Sequence, residues 1–323
     1  MQITFLTVCH YFVFKGFSKV LICGGFTPLG LTSQCEAIDL NSNKTCQNLP
    51  NLPSTCIGAI GGLGFTGDPT ICGGSQSSSG NAPSNMCYSL NNNEWKTSQN
   101  MNSARLNAAA AQLQDGRLLV TGGYDNSGNK LKTAEILTEN GWESNILYLT
   151  VTITSHCMVT VDATTVMVIG GNQNNKISGN TFYFNFGDGT WTDGPALKNK
   201  RGFQSCGKIR KDKESQEMSI IVVGGDDGSS YLSSVEILDA GSQEWRAGTP
   251  LAFDIRASKM VEDQNGGVVL IGGNSKSIGY LKTLYQLPHG GQGAEWTPMV
   301  QKLQTVRYYH TAILVSDNIV DCS

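Results

Sequence analysis

Residues 222–245 read VVGGDDGSSYLSSVEILDAGSQEW, and this stretch holds one unit of a pattern that recurs along the chain. It begins with the end of a β-branched apolar run, which is typical of a buried strand. Gly224 and Gly225 follow, and paired glycines allow positive φ and the close approach of another backbone. A polar loop, a second strand (SVEILD) and Trp245 complete the unit.

Five further units repeat this order of strand, doublet, loop and strand. The doublets are separated by 49, 49, 48, 54 and 48 residues, and a fixed period near 50 indicates an array of equal supersecondary units. A Trp follows each of the last five doublets, and Cys46 stands in its place in the first unit. The doublets are Gly24-Gly25, Gly73-Gly74, Gly122-Gly123, Gly170-Gly171, Gly224-Gly225 and Gly272-Gly273, and the tryptophans are Trp95, Trp142, Trp191, Trp245 and Trp296.

Each unit predicts four antiparallel strands and no helix. An apolar stretch in the linker, such as HCMVTV (156–161), supplies the strand that precedes each doublet strand. One four-stranded sheet cannot bury both of its faces, but six sheets arranged radially pack against one another. We therefore predict an all-β fold, a six-bladed β-propeller of four-stranded antiparallel blades with Trp packed between blades.

The unit resembles the kelch repeat, whose period is near 50 residues. The resemblance covers residues 19–323 and implies a kelch-type propeller. A Glu in the strand after the loop and an Arg at the start of the next unit add to the match: Glu36, Glu135 and Glu236, with Arg105, Arg201, Arg256 and Arg307. The chain departs from the pattern at Cys46, at Thr152 and in the charged segment 208–218.

The two chain ends are predicted to complete one blade together, because the chain enters on a second strand and leaves on a first strand. Such closure removes exposed sheet edges. The predicted organisation is a signal peptide (1–18) and one propeller domain (19–323), with blade 1 formed by 19–54 plus 307–323, blade 2 by 55–103, blade 3 by 104–150, blade 4 by 151–200, blade 5 by 201–252 and blade 6 by 253–306.

Residues 1–18 stand outside the repeats and resemble a secretory signal peptide, although Lys and Arg are missing from its start. Its apolar run is too short to span a bilayer. Export predicts an extracellular protein with disulfides, and Asn43 in the sequon Asn43-Lys44-Thr45 is then a candidate glycosylation site. The alternative is a cytoplasmic protein with reduced cysteines.

Ten cysteines allow specific disulfide predictions. Cys23 and Cys35 occupy facing ends of neighbouring strands, as do Cys72 and Cys87, so both pairs lie within reach of a disulfide. A further disulfide, Cys46–Cys56, is predicted across a blade junction. The remaining expectations are buried thiols at Cys157 and Cys206, and no evident partner for Cys322.

Composition excludes some functions. The net charge is −3 and charged residues make up 15% of the chain, which disfavours nucleic-acid binding. The cysteines and the four histidines form no zinc motif, so no metal and no cofactor are predicted. His156 and His310 fall on predicted innermost strands, but no nucleophile motif accompanies them.

The loops after the doublets and the linkers between blades should emerge on one face, because the strands alternate in direction. We call this the loop face, and binding residues concentrate on such loops. Its predicted binding residues are Phe26, Tyr124, Asp125, Asp226, Asp227, Tyr231, Tyr308 and Tyr309. Arg105, Arg201, Arg256 and Arg307 either tie the blades together by hydrogen bonds or contact a ligand.

The predicted function is non-enzymatic binding of a protein or glycan through the loop face. The resemblance also implies an alternative, because kelch propellers include enzymes such as galactose oxidase and a sialic-acid epimerase. A carbohydrate-active enzyme, epimerase-like or oxidase-like, would use the channel arginines with His156 or His310. A second alternative is an intracellular interaction scaffold, such as a fragment of a ubiquitin-ligase adaptor.

Overall fold

The structure is a computed structural model that describes residues 16–42, 45–46 and 49–322. These residues form strands and no helix. Apolar β-branched runs make the second strand of each sheet; for example, all but the first residue of Met218–Val223 are buried. The predicted signal peptide lies almost wholly outside the described residues, and Asn43 lies outside them too.

In chain order, the strands are β1 (Lys19–Cys23), β2 (Phe26–Thr27), β3 (Gly30–Leu31), β4 (Cys35–Asp39), β5 (Thr45–Cys46), β6 (Ile60–Leu63), β7 (Pro69–Cys72), β8 (Cys87–Asn91), β9 (Glu94–Thr97), β10 (Ala109–Gln112), β11 (Leu118–Thr121), β12 (Thr133–Thr138), β13 (Gly141–Tyr148), β14 (Ile153–Thr154), β15 (Cys157–Thr160), β16 (Thr165–Ile169), β17 (Asn172–Gln173), β18 (Lys176–Ile177), β19 (Thr181–Asn185), β20 (Thr190–Gly194), β21 (Ser205–Arg210), β22 (Met218–Val223), β23 (Val235–Leu238), β24 (Arg246–Ala247), β25 (Lys259–Glu262), β26 (Val268–Ile271), β27 (Asn274–Ser275), β28 (Gly279–Tyr280), β29 (Thr283–Leu287), β30 (Thr297–Lys302) and β31 (Thr311–Val315).

Most of these strands belong to four-stranded antiparallel sheets, which are β31-β1-β4-β5, β6-β7-β8-β9, β10-β11-β12-β13, β15-β16-β19-β20, β21-β22-β23-β24 and β25-β26-β29-β30. The first and last strands of the chain share one sheet, since Lys19 in β1 pairs with Val315 in β31. The first strand of each sheet contacts the first strand of the next sheet, in the order β31, β6, β10, β15, β21, β25. The last of these, β25, contacts β31 again.

The glycine doublets join neighbouring sheets. At Gly224 φ is +63°, and a Cβ there would lie 2.5 Å from the carbonyl oxygen of Ile255 in the next linker. The next N–H, of Gly225, donates to the same oxygen at 2.8 Å. The corresponding donor and acceptor pairs are Gly25 and Cys56, Gly74 and Arg105, Gly123 and Ile153, Gly171 and Arg201, and Gly273 and Arg307. The doublet is therefore needed for close backbone approach between sheets.

The tryptophans also connect successive units. The indole N–H of Trp245 donates to the carbonyl oxygen of Pro195, in the linker after the preceding sheet, at 2.8 Å. Trp95, Trp142 and Trp296 make the equivalent bond to Pro50, Gln99 and Thr249. Nε1 of Trp191 is buried and has no partner among the described residues. Indole burial and one hydrogen bond thus stabilise most of the junctions.

The structure contains the two disulfides expected from strand register. Cys23 pairs with Cys35 and Cys72 with Cys87, with Cα atoms 4.2 and 4.1 Å apart. Both pairs stand directly opposite each other on adjacent antiparallel strands. Cross-strand register was therefore sufficient to identify them.

The other cysteine predictions are wrong. Cys46 bonds to Cys322 and not to Cys56, because residues after β31 return to the outer strand of the first sheet, where Cys46, Val320 and Cys322 belong to one buried cluster. Cys157 and Cys206, expected as thiols, form a disulfide between the neighbouring strands β15 and β21. Cys56 is a buried free thiol, and burial raises its pKa to about 12. Four disulfides in the described residues are typical of extracellular proteins.

Candidate ligand-binding face

The loop residues and linkers lie on one face, as their pairing shows. Backbone bonds join Phe26 to Tyr308 and Tyr124 to Leu106, and they join Asp226 to Gly202 in the same way. In each case the residue that follows a doublet pairs with a residue of a linker. The loop face is thus built from backbone hydrogen bonds between loops and linkers.

Three of the predicted arginines are buried structural groups. Nε of Arg105 donates to Glu135 at 3.0 Å, and its Nη1 donates to the carbonyl oxygens of Gly122 and Thr133. Arg201 with Glu236 and Arg307 with Glu36 repeat this arrangement, again with bonds to doublet and strand carbonyls. Their side chains are at most 1% exposed.

The paired glutamates also hold the linkers. Glu135 accepts the backbone N–H groups of Asn102 and Ser103, and Glu236 accepts those of Lys198 and Asn199. Each pair therefore connects a linker to the sheet that follows it. Burial lowers the pKa of Arg105, and the charge of Glu135 opposes that shift. Such a buried Arg–Glu ion pair, whose remaining N–H groups are hydrogen-bonded, connects two parts of the scaffold.

Arg256 does not belong to this group, although its sequence position suggested that it did. Ile255 takes the place equivalent to Arg105 and Arg201, because it is the carbonyl of Ile255 that accepts the doublet N–H. Arg256 comes one residue later and therefore points to the loop face. The sequence prediction that the four arginines are equivalent is therefore wrong for Arg256, which lies one residue after the equivalent position.

Arg256 forms the centre of a charged and aromatic group. Its Nη1 donates to Asp226 at 2.8 Å, and its guanidinium lies 4.3 Å from the ring centre of Tyr231 and 5.7 Å from that of Phe203. The ammonium of Lys276 lies 4.4 Å from the same Tyr231 ring. The Arg256 side chain is 24% exposed, so it is accessible from solvent. A guanidinium between two rings is held rigidly and still presents donors.

A continuous row of rings extends from this group. Phe203 meets Tyr309 at 5.4 Å, Tyr309 meets Tyr308 at 5.1 Å, and Tyr308 stacks on Tyr280 at 5.2 Å and contacts Phe26 at 5.5 Å. Burial, with the neighbouring Tyr280, raises the pKa of Tyr308 to about 12. We call the following set the aromatic face: Phe26, Phe203, Tyr231, Arg256, Tyr280, Tyr308 and Tyr309.

Two short hairpins border the aromatic face with exposed aliphatic side chains. Leu29, at the tip of the β2–β3 hairpin, is 99% exposed, and Ile278, at the tip of β27–β28, is 55% exposed. Phe26 and Tyr280, one from each hairpin, both contact Tyr308. The aliphatic tips and the rings thus extend over two neighbouring sheets. Contiguous exposed apolar groups of this kind are uncommon on a surface without a partner.

The structure brings together only part of the predicted site. Phe26, Asp226, Tyr231, Tyr308, Tyr309 and Arg256 converge, whereas Arg105, Arg201 and Arg307 are buried below the face. Tyr124 stands apart with Lys130 over its ring at 5.6 Å, and Asp125 and Asp227 accept N–H groups of their own loops. The hydrogen bond from the hydroxyl of Ser229, together with the N–H groups of Ser230 and Ser229, lowers the pKa of Asp227 to about 2.

Phe203, Tyr280 and Lys276 were missed from the sequence. Phe203 had a signal, since Arg201-Gly202-Phe203 matches Arg307-Tyr308-Tyr309 position for position. Tyr280 and Lys276 lie on a hairpin with no repeated sequence feature, and only the folded contacts identify them.

Six residues, one from each linker, are joined in a closed circle of backbone hydrogen bonds. The N–H of Asn107 donates to Gly58, and the same bond runs from Ser155 to Asn107, from Phe203 to Ser155, from Ala257 to Phe203, from Tyr309 to Ala257 and from Gly58 back to Tyr309. Their N···O distances are 2.7–3.0 Å. We call these six residues the rim. All have φ between +52° and +62°, which is strained for the five that are not glycine.

Below the rim lies a cavity lined by His156, His310, Gln204 and Lys259 among others. Nε2 of His156 is 2.8 Å from the hydroxyl of Thr121. Burial and the charge of Arg105 lower the pKa of His156 to about 3, and burial with Arg307 and Lys259 lowers that of His310. Both rings are therefore neutral at physiological pH.

Comparison with known proteins agrees with this architecture. The Kelch motif family matches residues 219–252, which include β22, the loop, β23 and Trp245. The solved structure of YjhT superposes with a TM-score of 0.69 at 13% identity, covering 87% of this chain and 95% of that one. Residues 219–252 therefore match a Kelch motif, and the likeness to YjhT shows a shared propeller fold. No curated protein sequence matched it.

Between residues 16 and 322, apart from the gaps, no group of three or more His, Cys, Asp or Glu side chains is arranged to hold a metal. The same residues include no helix long and apolar enough to cross a membrane.

Proposed function

We propose that the six four-stranded sheets are the blades of one closed six-bladed propeller. The circle of rim bonds supports this, because it visits each linker once and returns to its start. The shared sheet of β1 and β31 and the contact between β25 and β31 support it as well. On this proposal the domain comprises residues 19–323, with the blade limits predicted from the sequence.

On that scaffold, the kelch propeller is a non-enzymatic binding module that recognises its partner through the aromatic face. The observation that carries this function is Arg256, held between Tyr231 and Phe203 and still exposed. Arg and Tyr are the residue types most enriched at the centres of binding interfaces. Asp226 fixes the guanidinium, so little side-chain entropy is lost on binding.

The exposed hairpin tips favour a protein over a glycan as the partner. Leu29 and Ile278 present aliphatic surface, which contributes to protein interfaces by its burial. Sugar rings are bound mainly by aromatic rings and polar groups. A protein with an apolar segment would cover the hairpin tips and the aromatic row together.

The partner is then an extracellular protein. Disulfides form and persist in oxidising compartments, and four of them occur in the described residues. They argue against the intracellular scaffold. Secretion, with residues 1–18 as its signal, remains part of the proposal, and mass spectrometry of secreted protein tests it by locating the mature N-terminus.

The enzymatic alternative required arginines in the channel. Arg105, Arg201 and Arg307 are buried and bonded to glutamates and backbone carbonyls, so they do not reach a substrate in the channel. His156 and His310 are neutral, and no free arginine is available beside them to act with them on a substrate. The binding module therefore accounts better for the arrangement.

A binding screen tests the proposal. Purified mature chain is applied to arrays of extracellular proteins and of glycans, in parallel with Arg256→Ala and Tyr308→Ala. Arg117→Ala is the control, because Arg117 lies with Asp115 on the turn between β10 and β11, at the opposite end of the strands. We expect a protein signal that both loop-face variants lose and the control keeps.

Two results would refute the proposal. Binding that Arg256→Ala and Tyr308→Ala retain would place the site elsewhere. A signal on the glycan array alone would exclude the protein partner.

A further inference from the structure

The cavity below the rim carries a separate inference. Its volume is about 50 Å³, and a cavity holds one water from roughly 10–15 Å³ on the same measure. It therefore has room for a few water-sized groups. The rim N–H groups already donate to one another, so they are not available to an occupant.

Several polar groups at this cavity have no partner within the described chain. Nδ1 of His156, Oε1 of Gln204 and both ring nitrogens of His310 are buried and unpaired. These residues are 6%, 6% and 1% exposed. Buried polar atoms without partners are rare and indicate a water or ligand. His310, with two unpaired nitrogens, is the least satisfied of them.

The cavity also has an unbalanced positive charge. Lys259 begins β25, is half-buried and lines the cavity. No Asp or Glu is among the residues that line the cavity. Glu262, on the same strand, lies three residues further, which places it on the opposite face and about 10 Å away. Glu262 instead accepts the backbone N–H of Lys208.

The nearby arginines, unlike Lys259, have carboxylate partners. Arg105 and Arg307 are each matched by a glutamate at hydrogen-bond distance. Their positive charge still acts on the neighbouring imidazoles, and Lys259 acts on His310 in the same direction. The neutral rings can then donate one N–H each to an anion. Charges removed from water are normally paired.

We propose that this cavity binds a small oxyanion, a carboxylate or phosphate ion, with Lys259 as counter-charge and His310 as hydrogen-bond donor. The cavity volume restricts the ligand to an ion of a few heavy atoms. The aromatic face and the cavity share Phe203 and Tyr309, but Lys259 and His310 line only the cavity.

Titration calorimetry with sodium acetate and, separately, sodium phosphate at constant ionic strength tests the proposal. Wild type is compared with Lys259→Met, which keeps the length of the side chain and removes the charge. Lys96→Met is the matched control, because Lys96 is an exposed lysine on β9, paired with Glu94 and outside the cavity. Thermal unfolding of both variants establishes that they are folded.

The expected result is saturable binding of one ion, weakened about tenfold or more by Lys259→Met because a charge-assisted hydrogen bond is lost, and unchanged by Lys96→Met. Acetate binding identifies a carboxylate site, and phosphate binding identifies a phosphate site. Absence of saturable binding by either ion, or equal affinity in Lys259→Met and wild type, overturns the proposal. Loss of partner binding in Arg256→Ala has no bearing on it.

Discussion

Arg201 and Arg256 lie in successive linkers of the propeller and have different roles. Arg201 is buried, paired with Glu236 and bonded to the carbonyl oxygens of Gly224 and Ser234. Arg256, one residue closer to the rim, is partly exposed between Tyr231 and Phe203. A shift of one residue in an extended linker turns a side chain to the other side. Register relative to the rim therefore separates scaffold residues from binding residues.

The largest expected difference is in stability between substitutions of these two arginines. Arg201→Met leaves the carboxylate of Glu236 buried without its partner, which should lower the free energy of unfolding by about 3–5 kcal/mol. Arg256→Met removes a partly exposed pair and should cost about 1 kcal/mol or less. Urea denaturation with intact disulfides measures both values. Equal losses would show that both arginines are scaffold groups.

The doublets provide a second comparison. Gly224→Ala places a Cβ 2.5 Å from the oxygen of Ile255 at positive φ, whereas Gly241 has φ +75° and open space around it. We expect a loss of about 3 kcal/mol for Gly224→Ala, from overlap added to backbone strain. Gly241→Ala should lose about 1 kcal/mol from strain alone. The same urea experiment decides, and similar losses would mean that the doublets do not hold neighbouring sheets together.

Because the cavity histidines are buried and neutral, we expect the free energy of unfolding to fall at acidic pH. His156 has a pKa of about 3 in the folded protein, below the ordinary value of 6.5, so the unfolded chain takes up the proton first. The stability from neutral His156 is complete above pH 6.5 and is lost as the pH falls toward 3, by roughly 1 kcal/mol per pH unit. His156→Gln, which introduces the side chain that Gln204 has at the equivalent position, should reduce this slope. Unfolding curves from pH 7 to pH 4 measure it, and an unchanged slope would contradict a neutral buried imidazole.

The smallest expected difference is between two tryptophans. Trp245→Phe removes the bond to Pro195, while Trp191→Phe removes an indole nitrogen without a partner in the described residues. Beyond the shared loss of volume, Trp245→Phe should cost about 1 kcal/mol more. Thermal unfolding of the two variants provides the comparison. A larger loss for Trp191→Phe would mean that its nitrogen is hydrogen-bonded after all.

The period of the sequence was sufficient to predict an all-β array of four-stranded sheets, because doublets and tryptophans report contacts that recur at every junction. Cross-strand register also predicted Cys23–Cys35 and Cys72–Cys87. Cys46–Cys322 could not be predicted, since it depends on where a non-repeating tail packs. Cys157–Cys206 depends on side-chain direction between neighbouring first strands, which spacing does not report.

The binding face was only partly predictable. Its members from the linkers follow the repeat, so Tyr308 and Tyr309 were found, and Phe203 was open to the same argument. Tyr280 and Lys276 come from a hairpin whose sequence has no counterpart in other units, and the stacking on Tyr308 is a purely tertiary contact. Repeats thus predict the scaffold well and the individual loops poorly.

Both proposed sites depend on the closed circle of rim bonds. Hydrogen exchange of the amides of Gly58, Asn107, Ser155, Phe203, Ala257 and Tyr309, followed by NMR, tests that circle directly. If the circle is closed, all six amides exchange slowly and together, at the rate of global unfolding, because opening one bond opens the ring. If Gly58 and Tyr309 exchange rapidly while the other four are protected, the ring is open between the first and last linkers and the account is wrong.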